Sequence, residues 1–169
     1  GAMLERFRAP DGGLYYAVDE PGGQHKDDYA GAEPAATSVA AAVLYRLAEV
    51  SGGGSWREAG EAVLKAASHS VMSYPETVPY MLTVLDTHLH APRQIVVAGE
   101  PGSEDTRAML EAVQRRYLPD TTLLLAGDPS VSALAPWTEG MRPVDSKATA
   151  YVCEGFACKA PVTDASALF

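Results

Sequence analysis

Two short apolar runs constrain this chain more than any other feature. Gln94-Ile95-Val96-Val97-Ala98-Gly99 follows Pro92, and Thr122-Leu123-Leu124-Leu125-Ala126-Gly127 follows Asp120. Each is too short for a helix and lacks the alternation of a half-solvated strand, so both read as buried strands. Between them, Ser103 with Asp105 and Thr106 caps a segment whose Met109, Leu110, Val113 and Tyr117 share one face, while Arg107, Glu111, Gln114 and Arg115 point elsewhere. Residues 94–127 therefore read as one β-α-β unit with a right-handed crossover. Pro129, Pro136, Gly140 and Pro143 limit the next stretch to a short helix around Val131–Leu134. Thr149–Cys153 reads as a third strand, and Asp164 as the cap of a short terminal helix.

The preceding half is helical in pattern. Residues 22–33 are polar and glycine-rich, a loop leading to Pro34 at a helix start. Val39, Ala42, Val43, Leu47 and Val50 recur at helical steps until Gly52-Gly53-Gly54. A second helix is expected from Ser55, with Glu58 completing a capping box and Ala59, Val63, Ala66, Ala67 and Val71 as its apolar face. A third is expected over Tyr74–His90. The fold class is α+β, helical hairpins against a small β-α-β unit with a third strand. The expected division is residues 1–3 as a tag remnant, 4–91 as the helical segment and 92–169 as the α/β segment. The start at Leu4, without a helical lead-in, reads as a cut from something longer.

Charge removes several function classes. Lys+Arg 13 against Asp+Glu 22 leaves −9 over 169 residues, which repels a phosphate backbone and argues against nucleic acid as a partner. No polybasic patch suits an anionic membrane surface. With hydrophobic residues at 47% and two cysteines, the composition is that of a cytoplasmic globular protein without a disulfide framework.

The chemistry-bearing residues are few. Gly99-Glu100-Pro101-Gly102-Ser103 occupies the place of a phosphate loop, but Glu100 and Asp105 put negative charge where an anion would sit and Pro101 removes an amide donor. It reads as a capped turn, and no cofactor is expected. Cys153 and Cys158 flank Glu154-Gly155-Phe156-Ala157; a four-residue reversal there makes the sulfurs neighbours, suited to a redox pair or to holding zinc. The spacing is not C-x-x-C, and Glu154 opposes a thiolate, so reduced, partly buried thiols are the expectation. His88 and His90 would complete a Cys2His2 zinc set, but two residues apart on a helix they point away from each other. Asp28 and Glu33, with Asp27, His25 and Lys26 nearby, are the candidate general acid and base of a sugar cleft, against the reading of a solvated loop.

Three stretches in order carry a family resemblance. Lys26-Asp27-Asp28-Tyr29-Ala30-Gly31-Ala32-Glu33-Pro34 runs into Ser38-Val39-Ala40-Ala41 and Leu47-Ala48. Pro92–Gly99 is the second, and Ala150-Tyr151-Val152-Cys153 with Cys158–Asp164 the third. Together they resemble the spermatogenesis-associated, thioredoxin-domain-containing protein family. The resemblance implies a longer protein with an N-terminal thioredoxin-like domain and a helical region similar to six-hairpin glycosidases and N-acylglucosamine epimerases, of which this chain is the C-terminal end. Where the family tends to have Pro-Ser-Gly-Asn-Ser, this chain has Pro34-Ala35-Ala36-Thr37-Ser38, which weakens the transfer of sugar chemistry.

The expected function is a non-catalytic C-terminal scaffold that completes a carbohydrate-binding cleft. Its partners would be the N-terminal remainder of the polypeptide and a carbohydrate ligand. The alternatives are a thiol-redox or zinc-holding module at Cys153 and Cys158, and a protein-interaction domain that forms a homodimer through exposed helix faces.

Overall fold

Helix formers and prolines together decide where the helices of the first half run. The computed structural model describes residues 1–17 and 24–169. The chain divides into two units, Gly1–Ala48 with Gly53–His90 and Glu49–Gly52 with Ala91–Phe169. The helices of the first half are α1 (Ala2–Phe7), α2 (Ala36–Ser51), α3 (Gly54–Ala66), α4 (Ser68–Ser73) and α5 (Pro79–Leu89). Helix α1 runs through residues set aside on sequence grounds as a tag remnant, and its Leu4 and Phe7 pack on the core.

Two expected helices are broken. The one from Ser55 to Val71 stops at Ala66 and restarts at Ser68. The capping box does not form: α3 begins at Gly54 after Gly53, which puts Ser55 inside the first turn. The one expected over Tyr74–His90 begins only at Pro79, after a 3-10 turn at Pro75–Thr77. A proline has no amide to donate and is accommodated in the first turn, so each of these prolines opens a helix. The core of this unit gathers Leu44, Tyr45, Val63, Val78, Met81 and Val84, all but sealed from solvent. Each such side chain stabilises by roughly 1.5–3 kcal/mol relative to exposure. Gly60 permits the approach of α3: a Cβ there would lie 3.0 Å from the Tyr45 ring.

In the second unit both apolar runs are strands, as expected. Strand β1 (Arg93–Ala98) pairs in parallel with β2 (Thr121–Ala126), from Arg93↔Thr121 to Ala98↔Ala126, and α6 (Glu104–Gln114) connects them. Helix α7 (Pro129–Leu134) and a 3-10 turn at Pro136–Thr138 lead to β3 (Thr149–Glu154), antiparallel to β1, and then to β4 (Ala157–Cys158). The sheet order is β2-β1-β3-β4. Helix α6 ends before Tyr117, which is exposed rather than on the apolar face.

The sheet is covered on both sides. Ile95 and Val97 pack with Met109 and Val113 of α6. Val96, Ala98 and Ala126 pack with Trp137 and Met141. The Trp137 indole donates to Val50 O at 2.8 Å, and Thr122 Oγ1 to Glu49 Oε2 at 3.0 Å. Asp105 ties the segment before β3 to the start of α6: Oδ2 accepts from Ala148 N at 2.7 Å, Oδ1 from Thr106 N at 2.9 Å. Those bonds, Ala148 first, hold its carboxyl below the usual range. Asp164 accepts from Ser166 N at 2.9 Å, the cap expected of it.

Candidate functional site

The acidic loop is anchored piecewise. Asp11 pairs with Lys26 and accepts from Gly13 N at 3.1 Å. Asp27 turns the chain by accepting from Tyr29 N at 3.0 Å, and its carbonyl accepts from Thr37 Oγ1 at 3.2 Å. Asp28 is half-buried and accepts from Ser70 Oγ at 3.3 Å. Burial pushes its carboxyl above the usual range, against the Ser70 bond and the Lys26 charge; the neighbouring carboxylates that add to the rise are Asp27 and Asp11. Glu33 is exposed and is not among the charges acting on Asp28. No contact among the described residues joins the two as an acid/base pair. Gly22, where the loop was expected to begin, lies outside the described residues.

His88 and His90 are drawn to separate partners. His90 Nδ1 lies 2.8 Å from Asp86 O. His88 Nδ1 lies 2.9 Å from the Tyr45 hydroxyl and 3.9 Å from Glu61 Oε1. Glu61 pairs with Arg57 Nε at 3.2 Å, and that guanidinium lies 5.6 Å from the Tyr45 ring centre. Burial, then the Glu61 charge, pushes the Tyr45 phenol up to about 12. The phenol therefore stays protonated, and its hydroxyl shares a hydrogen bond with His88 Nδ1. Sequence reasoning missed this Tyr45-His88-Glu61-Arg57 cluster. Its one local signal is the Arg57/Glu61 spacing of four; Tyr45 and His88 arrive from other helices. Glu61 and His88 line a groove of about 400 Å³ whose walls include Leu64, Val71 and Leu85. Among the described residues no three His, Cys, Asp or Glu side chains converge on a metal site.

The cysteines are brought together as the four-residue reversal requires. Glu154 pairs with Ala157 and Cys153 with Cys158, across a turn whose two central residues, Gly155 and Phe156, have φ of 56° and 66°. That is the hairpin turn whose twist matches its strands. Phe156, a bulky residue in the left-handed region, packs edge-on to Trp137 with ring centres 5.2 Å apart. The expectation of reduced thiols is corrected: Cys153 and Cys158 are disulfide-bonded. The tight turn makes them directly opposed residues of neighbouring strands, Cα atoms 3.9 Å apart. Cys153 is fully buried and Cys158 exposed. The 99–103 loop is a turn closed by Ser103 N donating to Glu100 O at 3.1 Å, but the expected Ser103 cap does not form: its hydroxyl donates back to Glu100 O at 2.9 Å and makes no hydrogen bond to the α6 amides.

This chain is similar to a stretch of spermatogenesis-associated protein 20. It is 37% identical to the mouse protein over 166 residues, which is 94% of this chain and 21% of that protein. It is 39% identical over 142 residues to both the rat and the human spermatogenesis-associated protein 20, 82% of this chain and 18% of each. The chain thus spans about a fifth of the length of these curated relatives. No family model and no solved structure matches it. Among the described residues, no helix is long and apolar enough to cross a membrane.

Proposed function

We propose that this chain is a non-catalytic scaffold segment of a longer, cytoplasmic protein like spermatogenesis-associated protein 20, and that α2 is its main contact with the rest. One observation carries the reading. Val39, Val43 and Leu47, four residues apart along α2, are exposed at 41%, 48% and 39%, an apolar stripe on one helix face. About four-fifths of the relatives' length lies outside the matched stretch, so a large remainder of the same polypeptide is the occupant. In the family resemblance that remainder is a thioredoxin-like domain and a helical, six-hairpin glycosidase-like region, and the acidic loop with Asp28 and Glu33 completes a carbohydrate cleft against it.

The test is to titrate the separately expressed remainder of the polypeptide against this chain. Val39→Asp with Val43→Asp should weaken association at least tenfold, and unchanged affinity would sink the docking reading. Without the remainder, the same stripe pairs two copies, so light scattering should report a dimer that the double variant abolishes. Calorimetry with mono- and oligosaccharides on the reassembled protein tests the cleft. Binding unchanged in Asp28→Asn and Glu33→Gln would remove those carboxylates from it.

The Cys153–Cys158 bond favours a second reading, a thiol-redox role. Disulfides in the cytosol of mesophiles are mostly transient or redox-sensing, and Cys158 lies on the exposed end strand of the sheet. Thiol titration against dithiothreitol separates the readings: release of two thiols at mild reductant supports redox cycling, and a bond that resists reduction until the chain unfolds makes it a structural clip.

A further inference from the structure

The second unit contains a cleft that neither the acidic loop nor the cysteines touch. Its origin is topological. The connection leaving β1 leads to α6, which packs on the Ile95 and Val97 side of the sheet. The connection leaving β2 leads to a segment whose Trp137 and Met141 pack on the opposite side, against Val96, Ala98 and Ala126. Where neighbouring parallel strands send their chains to opposite faces, a crevice opens beyond their carboxyl ends, and α/β proteins place ligands there. A cleft of about 750 Å³ lies at this position, lined by Ala98–Pro101, Ala126, Gly127 and the 138–143 segment, within the size range of small-molecule sites. Gly127 and Gly140, at φ of 95° and 96°, line its wall. In that conformation glycine alone is unstrained, and it leaves backbone open to a ligand.

The charged side chains define the ligand. Glu100, Glu139 and Arg142 all line the cleft. Among the described residues none of them is in an ion pair, and Arg142 donates only to the adjacent Met141 O, at 3.1 Å. A phosphate would meet two carboxylates, and the amide of Thr106 at the start of α6 is already taken by Asp105. A sugar face would find no aromatic ring among the lining residues. A guanidinium and two carboxylates that line one cleft without pairing with each other match a small molecule with its own carboxylate and ammonium. We infer that this crevice binds a small zwitterion of the α-amino-acid type, Arg142 taking its carboxylate and Glu100 and Glu139 its ammonium.

This inference does not depend on the docking of α2 and is tested on the 169-residue chain itself. L-serine is titrated by two-dimensional amide NMR, beside ethanolamine, which lacks the carboxylate, and L-lactate, which lacks the ammonium. Saturable shifts centred on Gly99, Gly127 and Gly140 are expected with L-serine, with both truncated probes at least tenfold weaker. Arg142→Ala should cost L-serine at least tenfold while leaving ethanolamine unchanged; Glu100→Gln with Glu139→Gln should leave L-lactate unchanged or improved. Spectra unchanged elsewhere confirm that the variants fold. Absence of saturable shifts with L-serine, tighter binding of inorganic phosphate or myo-inositol, or indifference to Arg142→Ala would overturn it.

Discussion

The loop of the first unit and the hairpin of the second both carry chemistry-bearing residues five positions apart, and they differ in how closely the chain constrains them. Cys153 and Cys158 are set face to face by a two-residue turn, so their meeting is a local property. Asp28 and Glu33 are as near in sequence, yet Asp28 turns inward to Ser70 while Glu33 stays exposed. Nothing local forces two loop carboxylates together, and like charges repel. Proximity in sequence becomes proximity of functional atoms only where regular structure intervenes.

The comparison breaks first at the hairpin. Removing a disulfide that closes so short a loop costs about 2 kcal/mol by chain entropy. Because Cys153 is buried and Cys158 exposed, Cys153→Ser should cost about 1 kcal/mol more than Cys158→Ser, for a hydroxyl with no partner. Urea denaturation of the two variants checks this; equal losses would mean that burial at Cys153 does not matter. Next is the helical cluster. Tyr45→Phe deletes the hydroxyl bonded to His88 Nδ1 in a part-buried site, at an expected cost of about 1 kcal/mol. It should also move the His88 ring resonances in NMR, and a His88 ring indifferent to it would dissolve the cluster.

The same contrast explains what was legible. Ile95-Val96-Val97 and Leu123-Leu124-Leu125 announce two-sided burial by composition alone, so β1, β2 and the intervening α6 could be read directly, as could β3 and the α+β class. Helix limits were less legible where two local signals competed: Ser55 and Glu58 look like a capping box, but Gly53 and Gly54 let the helix start earlier. At Pro79, a rule read as permissive proved to be a boundary. The Tyr45-His88-Glu61-Arg57 cluster was invisible because its members come from three helices, and their convergence is a fact of packing. The crevice beyond β1 and β2 needed the paths of both connections, which no motif encodes.

The smallest expected effects lie in two carboxylates with opposite pH behaviour. Asp105 in the second unit is held below the usual range, chiefly by the Ala148 amide. Its contribution is present above its unfolded-state pKa, near pH 4, and is lost as pH falls through the lower folded value. Asp28 in the first unit is held above the usual range, chiefly by burial. Its protonated form is the one the fold prefers, so its contribution is present below pH 4 and lost as pH rises through the higher folded value. Asp105→Asn should therefore destabilise at pH 7, and the deficit should shrink on acidification. Asp28→Asn keeps an acceptor for Ser70 without the charge; it should be neutral or slightly stabilising at pH 7, by under about 1 kcal/mol after solvent screening, and should lose that advantage by pH 3. Thermal melts of both variants at pH 7, 5 and 3 read the two slopes. A clear loss of stability at pH 7 in Asp28→Asn would mean that the Asp28 charge is paired rather than merely buried, and the first unit's loop would then be as tightly specified as the second unit's hairpin.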